Sequence, residues 1–202
     1  MNPTYLRFEF LRLFRNRQNF IFSLIFPVAL FLLIGGTNAH KVVVGDITYG
    51  RFYMAGMIGF GTLAAVLAGG ARIAMERQIG WNRQLRLTPL SPMAYLRTKV
   101  LTAYLLAVIS LLLVTAAALA VGVRFPISDW LTAVGLVLVA LIPFAGLGVM
   151  LGHLIKGDSM GPVIGGGLSL LVALGGGYFP IGGGHGFMHL SLIHISEPTR
   201  PY

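Results

Sequence analysis

Charge is confined to a few narrow bands along this chain. No Asp, Glu, Lys or Arg occurs from Gln18 to His40, Phe52 to Ala71, Val100 to Val123, Trp130 to Ile155 or Ser159 to Ser196, runs of 23, 20, 24, 26 and 38 residues. About 20 mostly apolar residues in a helix cross the hydrocarbon of a bilayer, so each of the first four runs holds one span. The fifth is longer than one span requires. Backbone groups left unpaired in lipid cost several kcal/mol each, which favours helices as the crossing structure. The expected fold is all-α: a polytopic helical membrane protein with five spans near 20–36, 52–71, 100–123, 130–155 and 160–179.

The stock of residues excludes an ordinary water-facing surface. Only 10% of the 202 residues are charged and 56% are hydrophobic, with mean hydropathy +0.81, whereas a soluble domain carries about 25% charged residues. The formal charge of +9 could suggest nucleic acid, but its placement argues otherwise. The bases sit in short segments beside apolar runs, where Lys and Arg set topology and meet anionic lipid. No nucleic-acid partner is expected. There is no cysteine, so neither a disulfide framework nor a thiolate metal site can form.

Counting bases gives the orientation. Arg7, Arg12, Arg15 and Arg17, then Arg72, Arg77, Arg83, Arg86, Arg97 and Lys99, then Lys156 place eleven on one side. The other side has Lys41, Arg51 and Arg124, partly offset by Asp46 and Asp129. Positive segments stay inside, so the N-terminus is expected in the cytoplasm. Phe52, Tyr53, Phe125 and Trp130 then fall at the outer boundary, with Trp81 and Tyr95 in the inner loop, as amphipathic rings prefer. A cleaved signal peptide over 1–39 is the rival reading, suggested by Thr37, Asn38 and Ala39 before His40. The long patterned flank and the spans that follow argue against it.

Segment 1–19 reads as a cytoplasmic interfacial segment. From Thr4 to Asn16, Leu6, Phe10, Leu13 and Phe14 gather on one side of a helix and Glu9, Arg12 and Arg15 on the other. The bland alternative is a basic flank that only enforces topology. Residues 20–189 form the membrane domain, with its largest polar loop at 72–99. There Met75 to Leu87 is expected to be a short helix, ended by Pro89 and Pro92. Ile79 with Arg83, and Trp81 with Leu85, share faces on it. Such a helix can dock a soluble partner, or simply lie on lipid.

Glu76 with Gly80 four residues on, then Leu85, Thr88, Pro89, Leu90 and Ser91 in the spacing Leu-x-x-Thr-Pro-Leu-Ser, resembles the loop of ABC-2 type permeases. The membrane subunits of daunorubicin-resistance-type ABC exporters are the nearest likeness. The resemblance extends from Tyr5 to Phe179, taking in the basic start, Pro27 in the first span and a glycine-rich fifth span. It implies a multi-pass permease subunit of the bacterial plasma membrane, an exporter of amphipathic, lipid-like or drug cargo of the multidrug-efflux kind. ATP would be hydrolysed on a separate nucleotide-binding subunit, and a second permease half, identical or homologous, would complete the pathway. It also implies that the loop is a coupling helix seated on that subunit, through Glu76, Arg77, Gly80, Trp81, Arg83, Leu85 and Arg86. Trp81 departs from the family, which usually has a small polar residue there.

The resemblance further implies six spans, with a partly inserted hairpin before the sixth. Met160–Phe179 supplies the fifth and Pro180–Met188 begins the hairpin. Residues Leu190 to Arg200 are identical to one reading frame of a transposase-type sequencing-library adapter. Segment 190–202 is therefore expected to be a non-native tail that replaces the sixth span.

Nothing here is expected to hydrolyse ATP, so no enzyme activity and no cofactor are assigned. A phosphate-binding loop needs Gly before its Lys, and Lys41, Lys99 and Lys156 lack it. The runs Gly165–Gly167, Gly175–Gly177 and Gly182–Gly184 suit close packing or local unwinding. Gly148 with Gly152 and Gly161 with Gly165 have small-xxx-small spacing. His153 reads as interfacial or bundle-facing, and His185 with His189 lacks a carboxylate for a metal site. Two other functional classes compete. An ion-driven secondary transporter would keep ionisable groups near mid-membrane, and this chain has no Asp, Glu, Lys or Arg inside any expected span. A scaffold subunit would bind partners and move nothing.

Overall fold

The computed structural model describes residues 3–15, 20–44, 47–85, 87–88 and 90–175. Helix α1 (Pro3–Arg15) is followed by a composite helix α2 (Ile21–Gly36), whose π-helical ends, Ile21–Ile25 and Phe31–Gly36, flank an α-helical centre at Phe26–Leu30. Strands β1 (Val42–Val44) and β2 (Ile47–Thr48) form an antiparallel hairpin, pairing Val42 with Thr48 and Val44 with Ile47. Then come α3 (Tyr49–Gln78), α4 (Trp81–Leu85), α5 (Pro92–Ala120), α6 (Ile127–Leu154) and α7 (Gly157–Leu174). Helices α3, α5, α6 and α7 are long and apolar enough to cross a membrane, and α2 is a shorter apolar helix. The fold is an all-α polytopic bundle, to which the small hairpin is an addition the sequence pattern did not suggest.

Helix α3 is the axis of the bundle. Of its most apolar window 67% is buried, against 17% for α6 and for α7, so the other helices are laid around it. Its middle is rich in small residues, which permits close approach. A Cβ on Gly70 would lie 2.1 Å from the Gly148 carbonyl oxygen, and one on Gly152 would lie 2.5 Å from that of Gly70. Gly148 and Gly152 thus bring α6 onto α3 backbone to backbone. Gly161 and Gly165 do not act this way: a Cβ on either meets open space. Gly165–Gly167 continue a regular helix, so neither packing nor unwinding uses them here.

Pro27 sets the geometry of α2. Proline has no N–H, so it cannot supply the α-helical bond to the carbonyl four residues earlier, on Ser23. The Ser110 hydroxyl of α5 donates to it instead, at 2.7 Å. In lipid such a partner matters, because no water is at hand to satisfy a carbonyl that proline leaves without its α-helical donor. Gly61 of α3 makes room for this junction, since a Cβ there would lie 2.1 Å from the Ser110 oxygen.

The polar loop is shorter than its charges suggest. Helix α3 runs seven residues past Ala71 to Gln78, and α5 starts at Pro92 rather than Val100. The single helix expected over Met75–Leu87 is two pieces. Gly80, at φ +74, takes the left-handed conformation that ends a helix and costs glycine least. Pro92 does not end the short helix but opens α5, where Ser91 caps it by accepting from the Ala94 N–H at 3.2 Å. The expected hairpin at Pro180–Met188 and the tail at 190–202 lie outside the described residues.

Gly70→Ala should destabilise the protein by about 1–3 kcal/mol, the usual cost of overpacking. Gly59→Ala, which meets nothing within 4 Å, should leave the melting temperature of the detergent-solubilised protein unchanged. Equal melting of the two variants would refute the backbone contact.

Candidate functional site

At the Arg-rich end of the bundle the pattern of buried residues departs from the expected amphipathic division. The buried side of α1 carries Leu13 and also Glu9, which is 1% exposed, while Phe8 and Leu11 face outward. Glu9 therefore does not share a solvent face with Arg12 and Arg15; it points into the protein alongside Leu13. Its partner is Lys99, also 1% exposed, whose Nζ lies 2.5 Å from Glu9 Oε1 and 2.6 Å from Glu76 Oε1. One ammonium thus joins a carboxylate of α1 to a carboxylate of α3 from the first turns of α5.

The rest of the shell completes Glu76. Arg12 Nη1 donates to its Oε1 at 3.1 Å, and the Tyr95 hydroxyl donates to its Oε2 at 2.7 Å. Lys99 Nζ sits 5.4 Å from the Tyr95 ring centre and the Arg12 guanidinium 5.6 Å from that of Trp81, within cation–π range. Burial first, then the Glu9 and Glu76 carboxylates, push the Tyr5 phenol above its ordinary range, so it stays protonated beside them. Arg72 is buried in the same region, and its three guanidinium nitrogens have no hydrogen-bond partner among the described residues. Coulombic attraction to Glu9 and Glu76 offsets part of that cost.

Burying ions costs several kcal/mol each, which only close pairing with further hydrogen bonds can offset. Glu76 has that arrangement in full. Glu9 has less: among the described residues its Oε2 accepts no hydrogen bond, and it lies 3.8 Å from Arg12 Nη1. Among the described residues no group of three acidic, histidine or cysteine side chains is placed to hold a metal ion.

Two neighbours of Glu76 reach the remaining helices. Arg77 Nη1 donates to the Gly152 carbonyl at 2.9 Å and to that of His153, satisfying orphan acceptors at the negative end of α6. Gln78 Nε2 donates to Asp158 Oδ2 at 2.9 Å, in the first turn of α7. Three consecutive side chains on the last turn of α3 therefore hold α1 with α5, then α6, then α7.

The coupling-loop residues expected from the sequence fall into two groups. Glu76 and Arg77 are the anchors just described. Gly80 makes the bend, Trp81 lies under Arg12, Leu85 is half-buried and Arg83 is exposed, with Ile79 and Leu87 exposed nearby. Arg86 lies outside the described residues. Sequence reasoning missed Glu9, Arg12, Tyr95, Lys99 and Gln78 as parts of one assembly. The available signal was the scarcity of acids: Glu9, Glu76 and Asp158 sit among eleven bases at this end, and all three are held by partners on other helices.

A model of the family described as ABC-2 type transporter matches residues 4–193. The chain is 28% identical over 172 residues to the protein named "Putative transport permease YvfS" from Bacillus subtilis (strain 168), covering 84% of this chain and 69% of that one. No solved structure matches.

Lys99→Met should destabilise the protein by about 3–5 kcal/mol, because it strands a buried carboxylate. Glu76 keeps Arg12 and Tyr95, so the stranded group is Glu9. Adding Glu9→Gln should recover most of the lost thermal stability. A Lys99→Met protein that melts like the wild type would contradict the buried pairing.

Proposed function

The chain belongs to the ABC-2 type transporter family, and from that premise we propose that it is the permease subunit of an ATP-driven exporter of amphipathic cargo. It is a multi-pass membrane protein and a transporter permease subunit, of a family that works with an ATP-binding subunit. The finer reading places it in the bacterial plasma membrane, with the eleven-base end in the cytoplasm. Drug-like or lipid-like molecules are the cargo class, and ATP is hydrolysed on a separate nucleotide-binding subunit.

The observation that carries this reading is the convergence at Glu76, Arg77 and Gln78. A load applied to α4 passes through the Gly80 bend into the last turn of α3. From there ion pairs and hydrogen bonds distribute it to α1, α5, α6 and α7. Trp81, Arg83, Leu85 and Arg86 would form the docking face for the nucleotide-binding subunit, with Glu76 and Arg77 anchoring it from behind. Ile79 and Leu87, exposed beside them, add apolar area of the kind a protein partner covers.

Closure of the nucleotide-binding subunits on ATP would displace α4 and tilt the helices tied to it. The outer faces of α6 and α7, with Leu136, Val139, Ile142 and Leu170 exposed, suit lipid on one side and a second permease half on the other.

The test is reconstitution with a partner nucleotide-binding subunit. Arg83→Glu should weaken capture of that subunit by roughly tenfold, about 1.4 kcal/mol. Gly80→Trp should abolish ATP-driven transport while leaving the protein membrane-inserted, because a tryptophan is strained at φ +74. Full transport by both variants would remove the coupling assignment.

A further inference from the structure

At the end of the bundle opposite the ion cluster, α3, α5 and α6 enclose a cavity of about 220 Å³. Its walls include Ile58, Leu111, Trp130 and Val137, and its mouth carries Arg51 and Asp129. At about 30 Å³ per water-sized group it holds roughly seven such groups. That is less than a whole drug-sized ligand, whose pocket runs to about 300–1,000 Å³. The cavity therefore suits one end of a larger molecule. From Arg51 to Ile58 the helix rises by about 10 Å, within the half-thickness of about 15 Å of a hydrocarbon core.

The mouth is chemically different from the walls. Arg51 Nε donates to the Arg124 carbonyl at 2.7 Å, which fixes the guanidinium and, among the described residues, leaves its terminal nitrogens for another acceptor. Among the described residues Asp129 accepts only from the Ser128 hydroxyl, at 3.2 Å. Among the described residues the two form no ion pair with each other, although both line the same opening. A fixed cation and a separate anion over an apolar slot match a molecule with a phosphate, an ammonium and a hydrocarbon chain. Arg suits phosphate, and a carboxylate suits an ammonium. Trp130 is itself held in place, its indole N–H donating to the Thr115 hydroxyl at 3.2 Å.

We propose that this cavity binds one acyl chain of a zwitterionic phospholipid, with the lipid phosphate on Arg51 and its ammonium on Asp129. The occupant is a resident lipid of the leaflet at this end. The site needs only the membrane-embedded fold and stands apart from the transport reading.

The test is native mass spectrometry of the full chain, released from micelles containing equal phosphatidylethanolamine and phosphatidylglycerol with the same acyl chains. The wild type should retain phosphatidylethanolamine over phosphatidylglycerol by at least about fivefold. Ala133→Trp, which fills the cavity from its wall, should lower that retention by a similar factor. Asp129→Asn, a change at an exposed position, should bring the preference close to unity without reducing phosphatidylglycerol binding. Equal retention of the two lipids by the wild type would overturn the proposal. So would an unchanged preference in Asp129→Asn, whatever the folding of the tryptophan variant.

Discussion

Charges removed from water must be paired, and in this protein one lysine meets that requirement for two helices at once. Lys99 is 1% exposed and lies against the carboxylates of Glu9 and Glu76. Without it Glu9 would keep only Arg12, 3.8 Å away, while Glu76 would keep its bonds from Arg12 and Tyr95. The consequence is architectural. A short N-terminal helix that could have rested on lipid is instead fixed to the ends of two membrane-crossing helices. The same turn of α3 that receives this clamp also grips α6 and α7, so the Arg-rich end behaves as one body.

Elsewhere the bundle is assembled by absence of side chains. Gly70, Gly148 and Gly152 bring two helices together at their backbones, and Gly61 admits the serine that replaces the hydrogen bond lost at Pro27. These contacts are short-ranged and steric, and lie between the two polar ends. Packing in the middle and pairing at one end therefore do different jobs. The first fixes how closely the helices approach; the second fixes which of them move together. On the proposed coupling both are needed, because tilting helices would have to stay sealed against lipid while force entered at one place.

Much of the fold was legible because lipid imposes a simple rule: apolar runs of about 20 residues become helices. The charge-free run Phe52–Ala71 lies inside α3, and the runs Val100–Val123 and Trp130–Ile155 overlap α5 and α6. They could not locate the helix ends, since a helix continues past the bilayer wherever a neighbour packs on it, as Arg72 to Gln78 do. The single loop helix split because Gly80 prefers a left-handed turn, a preference that pattern counting passed over. The β-hairpin was missed because its strands are only three and two residues long.

The site was half legible. Glu76 and Arg77 stood out beside Gly80 through resemblance, but their partners lie 64 and 75 residues away in sequence, beyond any periodicity argument. Glu9 was assigned to the wrong face because an acid was read as solvent-seeking when its nearest need was a cation. Hydrogen–deuterium exchange along α1 tests this account most directly. If Glu9 is clamped by Lys99, amides of residues 5–15 exchange slowly in the wild type and much faster in Glu9→Gln. Fast exchange in both, as for a helix lying loosely on lipid, would contradict it.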